Sequence, residues 1–156
     1  MNKPAPAAIV ANLARHLEAF LIDHRFCFSR QTHERRFRDV FDLIVETDEA
    51  GLTEQRITVY IQKQLLVFEA VLPVTCTDED AVAALVNDLN LRQTTGTFQL
   101  DLQDMELNWT SYLVGGNGAW PGDDIVLSRL ETAREMVGVL YRALCSVSCA
   151  PTENDQ

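Results

Sequence analysis

The stretch LVNDLNLRQTTGTFQLDL, Leu85 to Leu102, contains the change of period that decides the fold. Leu85, Val86 and Leu89 recur at helical spacing, whereas Phe98, Leu100 and Leu102 alternate strictly with polar neighbours. A shift from a period near 3.6 to a period of 2 marks a helix that ends and a strand that begins. The polar joint between them holds no base, nucleophile or ligand set, so it reads as a corner. The helix is expected to stop after Leu89, with Asn90 taking a left-handed helix-end conformation and Gly96 turning the chain into a strand from Thr97.

Upstream of the corner, Thr77 is the expected N-cap, with Asp80 in the capping-box position and Asp78 and Glu79 complementing the positive helix end. Val82, Leu85, Val86 and Leu89 form the buried stripe. Three strands precede this helix. RDVFDLIVE (38–46) turns Phe41, Leu43 and Val45 to one side, QRITVYIQ (55–62) turns Ile57, Val59 and Ile61 the same way, and LLVFEAVLP (65–73) closes a meander. The connections are too short for crossovers, so the strands are antiparallel, and Pro73 ends the last one. The charged run Phe26 to Arg38 predicts only a short strand around RFCFS and then a loop. Ahead of it, Ile9, Leu13, Leu17 and Phe20 outline a first amphipathic helix.

Downstream, GTFQLDL and MELNWTSYL form a hairpin turning near Gln103 and Asp104, with Met105, Leu107, Trp109 and Leu113 inward. GGNGAWPGDD is a connector, and Asp123 or Asp124 is expected to cap the last helix. There Val126, Leu130, Ala133, Val137, Leu140 and Leu144 alternate spacings of four and three. The predicted fold is α+β, an antiparallel sheet in the order helix, three strands, helix, two strands, helix. Residues 1–6 read as a disordered leader, 7–148 as a single domain and 149–156 as a polar tail.

A formal charge of −10 over 156 residues repels phosphate backbones and anionic lipid headgroups. Nucleic acid and membrane are therefore not expected partners, and a cytoplasmic location is. Arg35, Arg36 and Arg38, the one basic cluster, are diluted by Glu34 and Asp39. Four cysteines, Cys27, Cys76, Cys145 and Cys149, are too few and scattered for a disulfide framework and read as free, buried thiols.

The chemical motifs fail one by one. Gly115-Gly116-Asn117-Gly118 lacks the Lys-Ser/Thr pair of a phosphate loop and is followed by Asp123 and Asp124. Cys145 and Cys149, with no Cys-x-x-Cys or histidine pair elsewhere, do not complete a zinc site. Asp101, Asp104 and Glu106 lack the glycine and distal glutamate of a calcium loop and read as solvated turn carboxylates. Ser29, Ser111 and Ser128 stand in no nucleophile motif. No cofactor, metal or catalytic residue is expected, and the chain is read as not an enzyme.

EAVLPV (69–74), LVNDLN (85–90) and GTFQLDL followed by MELNWTSYL resemble the YbjN family of bacterial proteins, labelled as candidate sensory transduction regulators. The family's Gly-x-Phe-x-Leu-Asp run is matched by Gly96, Phe98, Leu100 and Asp101. The resemblance runs from about Gln55 to Leu144. It departs at the hairpin turn, where Asp104-Met105 replaces the common Asp-Gly. It implies the type III secretion chaperone-like fold and a protein-binding module, a homodimer rather than a catalyst. A secretion chaperone that holds an unfolded effector segment is the first alternative, and a small-molecule or cation sensor the second. Surplus apolar residues mark the expected protein-binding or dimer surface: Tyr60, Trp109, Tyr112, Trp120, Met136, Val139 and Ala143.

Overall fold

The computed structural model describes residues 6–33, 38–46, 54–75, 78–101, 103–104, 106–146 and 150–151. Among them the order is α1 (Pro6–Asp23), β1 (Cys27–His33), β2 (Arg38–Glu46), β3 (Glu54–Gln62), β4 (Leu65–Thr75), α2 (Glu79–Arg92), β5 (Thr97–Asp101), β6 (Glu106–Val114), α3 (Asp123–Ser146) and β7 (Ala150–Pro151). The α+β class and the antiparallel sheet are as expected. Strands lie in the order β1-β2-β3-β4-β6-β5, and β7 pairs with the end of β4. Every pairing is antiparallel.

Each strand's inner face follows its alternation. Phe41 and Leu43 on β2, Ile57, Val59 and Ile61 on β3, and Leu66, Phe68, Ala70 and Leu72 on β4 are all buried. Together with Phe98, Leu107 and Trp109 they form one core with the apolar faces of the helices. On α3 the buried positions include Val126, Leu130, Ala133, Val137, Leu140 and Leu144, the stripe read from the sequence. α3 packs across β3, β4 and β6, α1 against β3, and α2 against the edge strand β5.

The structure corrects several expectations. Four strands precede α2, because the charged segment after α1 is a full seven-residue strand, β1. Arg30 sits opposite Phe41 on its inner side, with its guanidinium carbon 5.3 Å from that ring's centre. An arginine stem lying over an aromatic ring takes the place of an apolar residue, so the alternation looks charged. Arg30 also pairs with Glu18 at 2.8 Å and Asp39 at 3.2 Å. The N-cap of α2 is Asp78, whose carboxylate accepts the Ala81 N–H at 3.0 Å; the expected cap Thr77 lies outside the described residues. α3 starts at Asp123 itself, placing Asp123 and Asp124 inside its first turn. Cys27 and Cys145 are exposed rather than buried. Pro6, read as leader, opens α1, and Ala150–Pro151, read as tail, pair with β4. The expectations for Arg35, Arg36, Cys76, Leu102, Met105 and Cys149 lie outside the described residues.

The corner itself is built differently from its reading. α2 continues to Arg92, and Asn90 is helical. Its side chain reaches β5, where Nδ2 donates to the Phe98 carbonyl and Oδ1 accepts the Phe98 N–H, both at 2.8 Å. One amide thus imitates a neighbouring strand. Gly96 has φ +77°, and a Cβ there would stand 2.5 Å from the Trp109 ring. The Trp109 indole N–H closes the corner on the Thr95 carbonyl at 3.3 Å.

Asn90→Ala is expected to cost about 2 kcal/mol, since it leaves the two Phe98 groups without protein partners. Amide exchange at Phe98 should accelerate more than exchange in β3. Gly96→Ala combines left-handed strain with a clash against a rigid, buried ring, and thermal unfolding should show a loss above about 2 kcal/mol.

Candidate functional site

The sheet has a second face. By alternation it carries Val40, Asp42 and Ile44 on β2, Arg56, Thr58 and Tyr60 on β3, Leu65, Val67, Glu69 and Val71 on β4, and Asn108, Thr110, Tyr112 and Val114 on β6. Register aligns these residues into rows across the strands. Val40 faces Tyr60, Tyr60 faces Val67, and Val67 faces Tyr112. One row away, Asp42 faces Thr58, Thr58 faces Glu69, and Glu69 faces Thr110. On the other side, Leu65 faces Val114 at the sheet end.

No helix among the described residues lies on this face, because the buried side chains of α1, α2 and α3 all belong to the core on the opposite side. Tyr112 is 59% exposed, Val114 60% and Ile44 46%. Val67 is 0% exposed yet lies outside the core cluster. In the register it stands between Tyr60 and Tyr112. Asp42 accepts the Thr58 hydroxyl at 2.9 Å and keeps its carboxylate on the same face.

Of the seven surface residues expected from the sequence, only Tyr60 and Tyr112 meet here. Trp109 is 0% exposed and fills the centre of the core, so it cannot touch a partner; residues Leu107, Trp109 and Ser111 alternate inward on β6, and the tryptophan sits among them. Met136, Val139 and Ala143 pack against the core, widening the apolar face of α3 towards its own sheet. Trp120 is half-buried between helices. Its ring stacks on His16 and leans on Phe20, each at 5.8 Å, while its indole N–H donates to Asp123 at 2.8 Å. It fastens the α3 entry to α1. The glycine run before it is no loose connector: it forms a 3-10 turn at Gly116–Gly118, with Gly118 against Ile9.

Sequence reading missed Val40, Leu65, Val67 and Val114 as members of the outer face. The signal was present in LLVFEAV, where Leu65 and Val67 are apolar on the side opposite Leu66 and Phe68. The carboxylates singled out at the hairpin act locally: Asp101 accepts the N–H groups of Gln103 and Asp104 at 2.9 and 3.2 Å. Among the described residues, no group of three or more His, Cys, Asp or Glu side chains is placed to hold a metal ion. No described helix is long and apolar enough to cross a membrane.

Neither a family model nor a curated protein matches the chain. A solved structure does: the crystal structure of YbjN from E. coli, described as a candidate transcription regulator, superposes with a TM-score of 0.67. The match covers 90% of this chain and 96% of that one at 14% sequence identity. The fold is that of YbjN. The likeness to YbjN extends well beyond the Gln55 to Leu144 stretch on which the sequence resemblance rests, taking in most of the chain. At this identity YbjN shares the architecture, and the residues of the outer face are this chain's own.

Core and surface readings of the two β6 aromatics separate cleanly. Trp109→Ala should lose about 3–5 kcal/mol in denaturant unfolding. Tyr112→Ala should stay within about 1 kcal/mol of wild type.

Proposed function

We propose that the protein is a non-enzymatic regulator of the YbjN type that acts by binding another protein through the outer face of its sheet. The observation that carries this reading is the exposed apolar surface of the outer face, where Tyr112 is 59% exposed, Val114 60% and Ile44 46%, all outside the core cluster. A tyrosine exposed among polar neighbours is a residue type on which protein interfaces concentrate their binding energy.

Regulation through protein contact fits the charge better than direct contact with DNA. A net −10 opposes a phosphate backbone, and the described basic residues form no stripe along one element. The fold likeness to YbjN supports the regulator class, and the open face supports the mode of action.

The test is capture from a lysate of the source cells on immobilised protein, compared with a Tyr112→Ser, Val114→Ser double variant. Wild type should retain a partner that the variant loses while unfolding at the same denaturant concentration. Equal retention by both proteins, or none by either, would reject the outer face as the binding surface.

A further inference from the structure

We propose that a second copy of this chain pairs with the open half of β6, so that two copies together complete the exposed apolar patch of the outer face. The proposal rests on the reading of that face as a protein-binding surface and makes the patch a shared one.

The backbone gives the first argument. Both backbone groups of Phe98 meet the Asn90 amide and therefore turn away from β6, because the N–H and C=O of one strand residue point to the same side. Thr97 and Gln99 then point to β6, and their partners Thr110 and Asn108 point back to β5. By alternation, the N–H and C=O of Tyr112 and Val114 point the same way. β5 begins at Thr97, opposite Thr110, and no described strand continues its line, so these groups face an open edge. The Arg129 guanidinium, which donates to the Tyr112 carbonyl at 2.9 Å, agrees with that direction. It comes from α3, on the core side of the sheet. A carbonyl oxygen accepts two hydrogen bonds, so an incoming N–H can join it.

Length selects the occupant. The opening is bounded at one end by Thr97 and at the other by the 3-10 turn at Gly116–Gly118, where the chain leaves the sheet. A longer foreign strand meets β5 or the turn. The end of β6 is itself short enough to fit. Laid antiparallel on its own image with Leu113 on the two-fold axis, it sets Tyr112 opposite Val114 of the second copy, and Val114 opposite Tyr112. Each such pair exchanges two N–H to C=O bonds. On the outer face an exposed tyrosine then lies against an exposed valine, an aromatic with a β-branched residue, which is a favourable cross-strand pair. The four side chains form one continuous strip, of which a single copy offers half.

Charge permits the joint despite a net −10. The two-fold sends the β5–β6 turns, with Asp101, Asp104 and Glu106, in opposite directions. At about 3.4 Å per residue, Glu106 lies about 24 Å from Leu113, so the two acidic turns stand about 48 Å apart. That is several screening lengths at physiological salt. The joint is small, well under the roughly 800 Å² per partner of a stable complex, so the dimer is weak and concentration-dependent.

The experiment is NMR of the wild-type protein from about 10 µM to about 1 mM, with sedimentation over the same range. A mixture of labelled and unlabelled chains gives isotope-filtered NOEs between copies. Shifts with concentration should cluster on Ser111 to Val114, and the mixed sample should show Tyr112 of one chain against Val114 of the other. Val114→Pro removes an N–H that faces the open edge and no bond of the ladder to β4, so the variant should keep its fold. It should dimerise at least about tenfold more weakly. The contacts between wild-type chains decide the matter even if that variant fails to fold.

A monomer at about 1 mM, or a dimer whose shifts and contacts lie elsewhere, would overturn the proposal. So would a folded Val114→Pro variant that dimerises as wild type does. If the chain stays monomeric while the Tyr112→Ser, Val114→Ser variant loses its captured partner, the outer face remains a binding surface and the shared patch is rejected. If the dimer forms through β6 while capture is indifferent to both residues, the pairing stands and the outer-face reading falls.

Discussion

Trp109 in contact with the Gly96 backbone is the junction on which the fold turns. The ring is wholly buried in the centre of the core, and the chain between α2 and β5 can pass it only because residue 96 has no side chain. The indole N–H then fixes the same loop through Thr95. One aromatic side chain therefore decides where the helix layer ends and where the second hairpin begins. Asn90, on the last full turn of α2, completes the junction by hydrogen-bonding both backbone groups of Phe98. A hydrophobic contact sets the position, and a two-point polar contact sets the orientation of β5. Buried amide pairs of this kind contribute less through their net strength than through the cost of leaving either group unmet.

That junction commits β6 to a particular facing. With Trp109 inward, Leu107 and Ser111 are inward too, and Asn108, Thr110 and Tyr112 must point the other way. Arg129 of α3 reinforces the choice by donating to the Ser111 hydroxyl and, at 2.9 Å, to the Tyr112 carbonyl. The exposure of Tyr112 is thus a consequence of core packing transmitted through strand alternation. The same register lines Tyr112 up with Val67 and Tyr60, so the outer row inherits its straightness from the inner one. A one-residue slip of β6 against β4 would both bury Tyr112 and expose Trp109, which is why the two faces cannot vary independently.

Much of this was legible beforehand. The stripe of α3, the inward faces of β2 to β4 and the turn at Gln103 and Asp104 all follow from periodicity and turn chemistry, because each depends on near neighbours in sequence. What escaped reading depends on distant ones. β1 was hidden because Arg30 substitutes for an apolar residue only in the presence of Phe41, Glu18 and Asp39. Asn90 was assigned a backbone role because nothing local says that its amide will meet Phe98. Trp109 alternates with Leu107 and so belongs inside, and the extra apolar line on α3 looks like an interface in the sequence because only the fold shows the core it packs against. The candidate face was half legible: Tyr60 and Tyr112 follow from alternation, but their meeting across Val67 requires the register.

The two edges of the sheet are closed in ways its outer face is not. A free edge strand offers unpaired backbone groups and invites indiscriminate pairing with other chains. Here β5 is met by Asn90, which occupies the Phe98 N–H and carbonyl that an added strand would use. At the other edge, β1 carries Arg30 on its inner side, tied to Glu18 and Asp39, and an inward charge of this kind is unfavourable beside an incoming apolar strand. Both edges are thus defended by side chains whose roles are otherwise modest, since partly exposed ion pairs contribute little to stability. The outer face has no such device: Tyr112, Val114 and Ile44 remain exposed there. With both edge strands guarded, what the sheet offers its surroundings is the side chains of its outer face rather than their unpaired backbone.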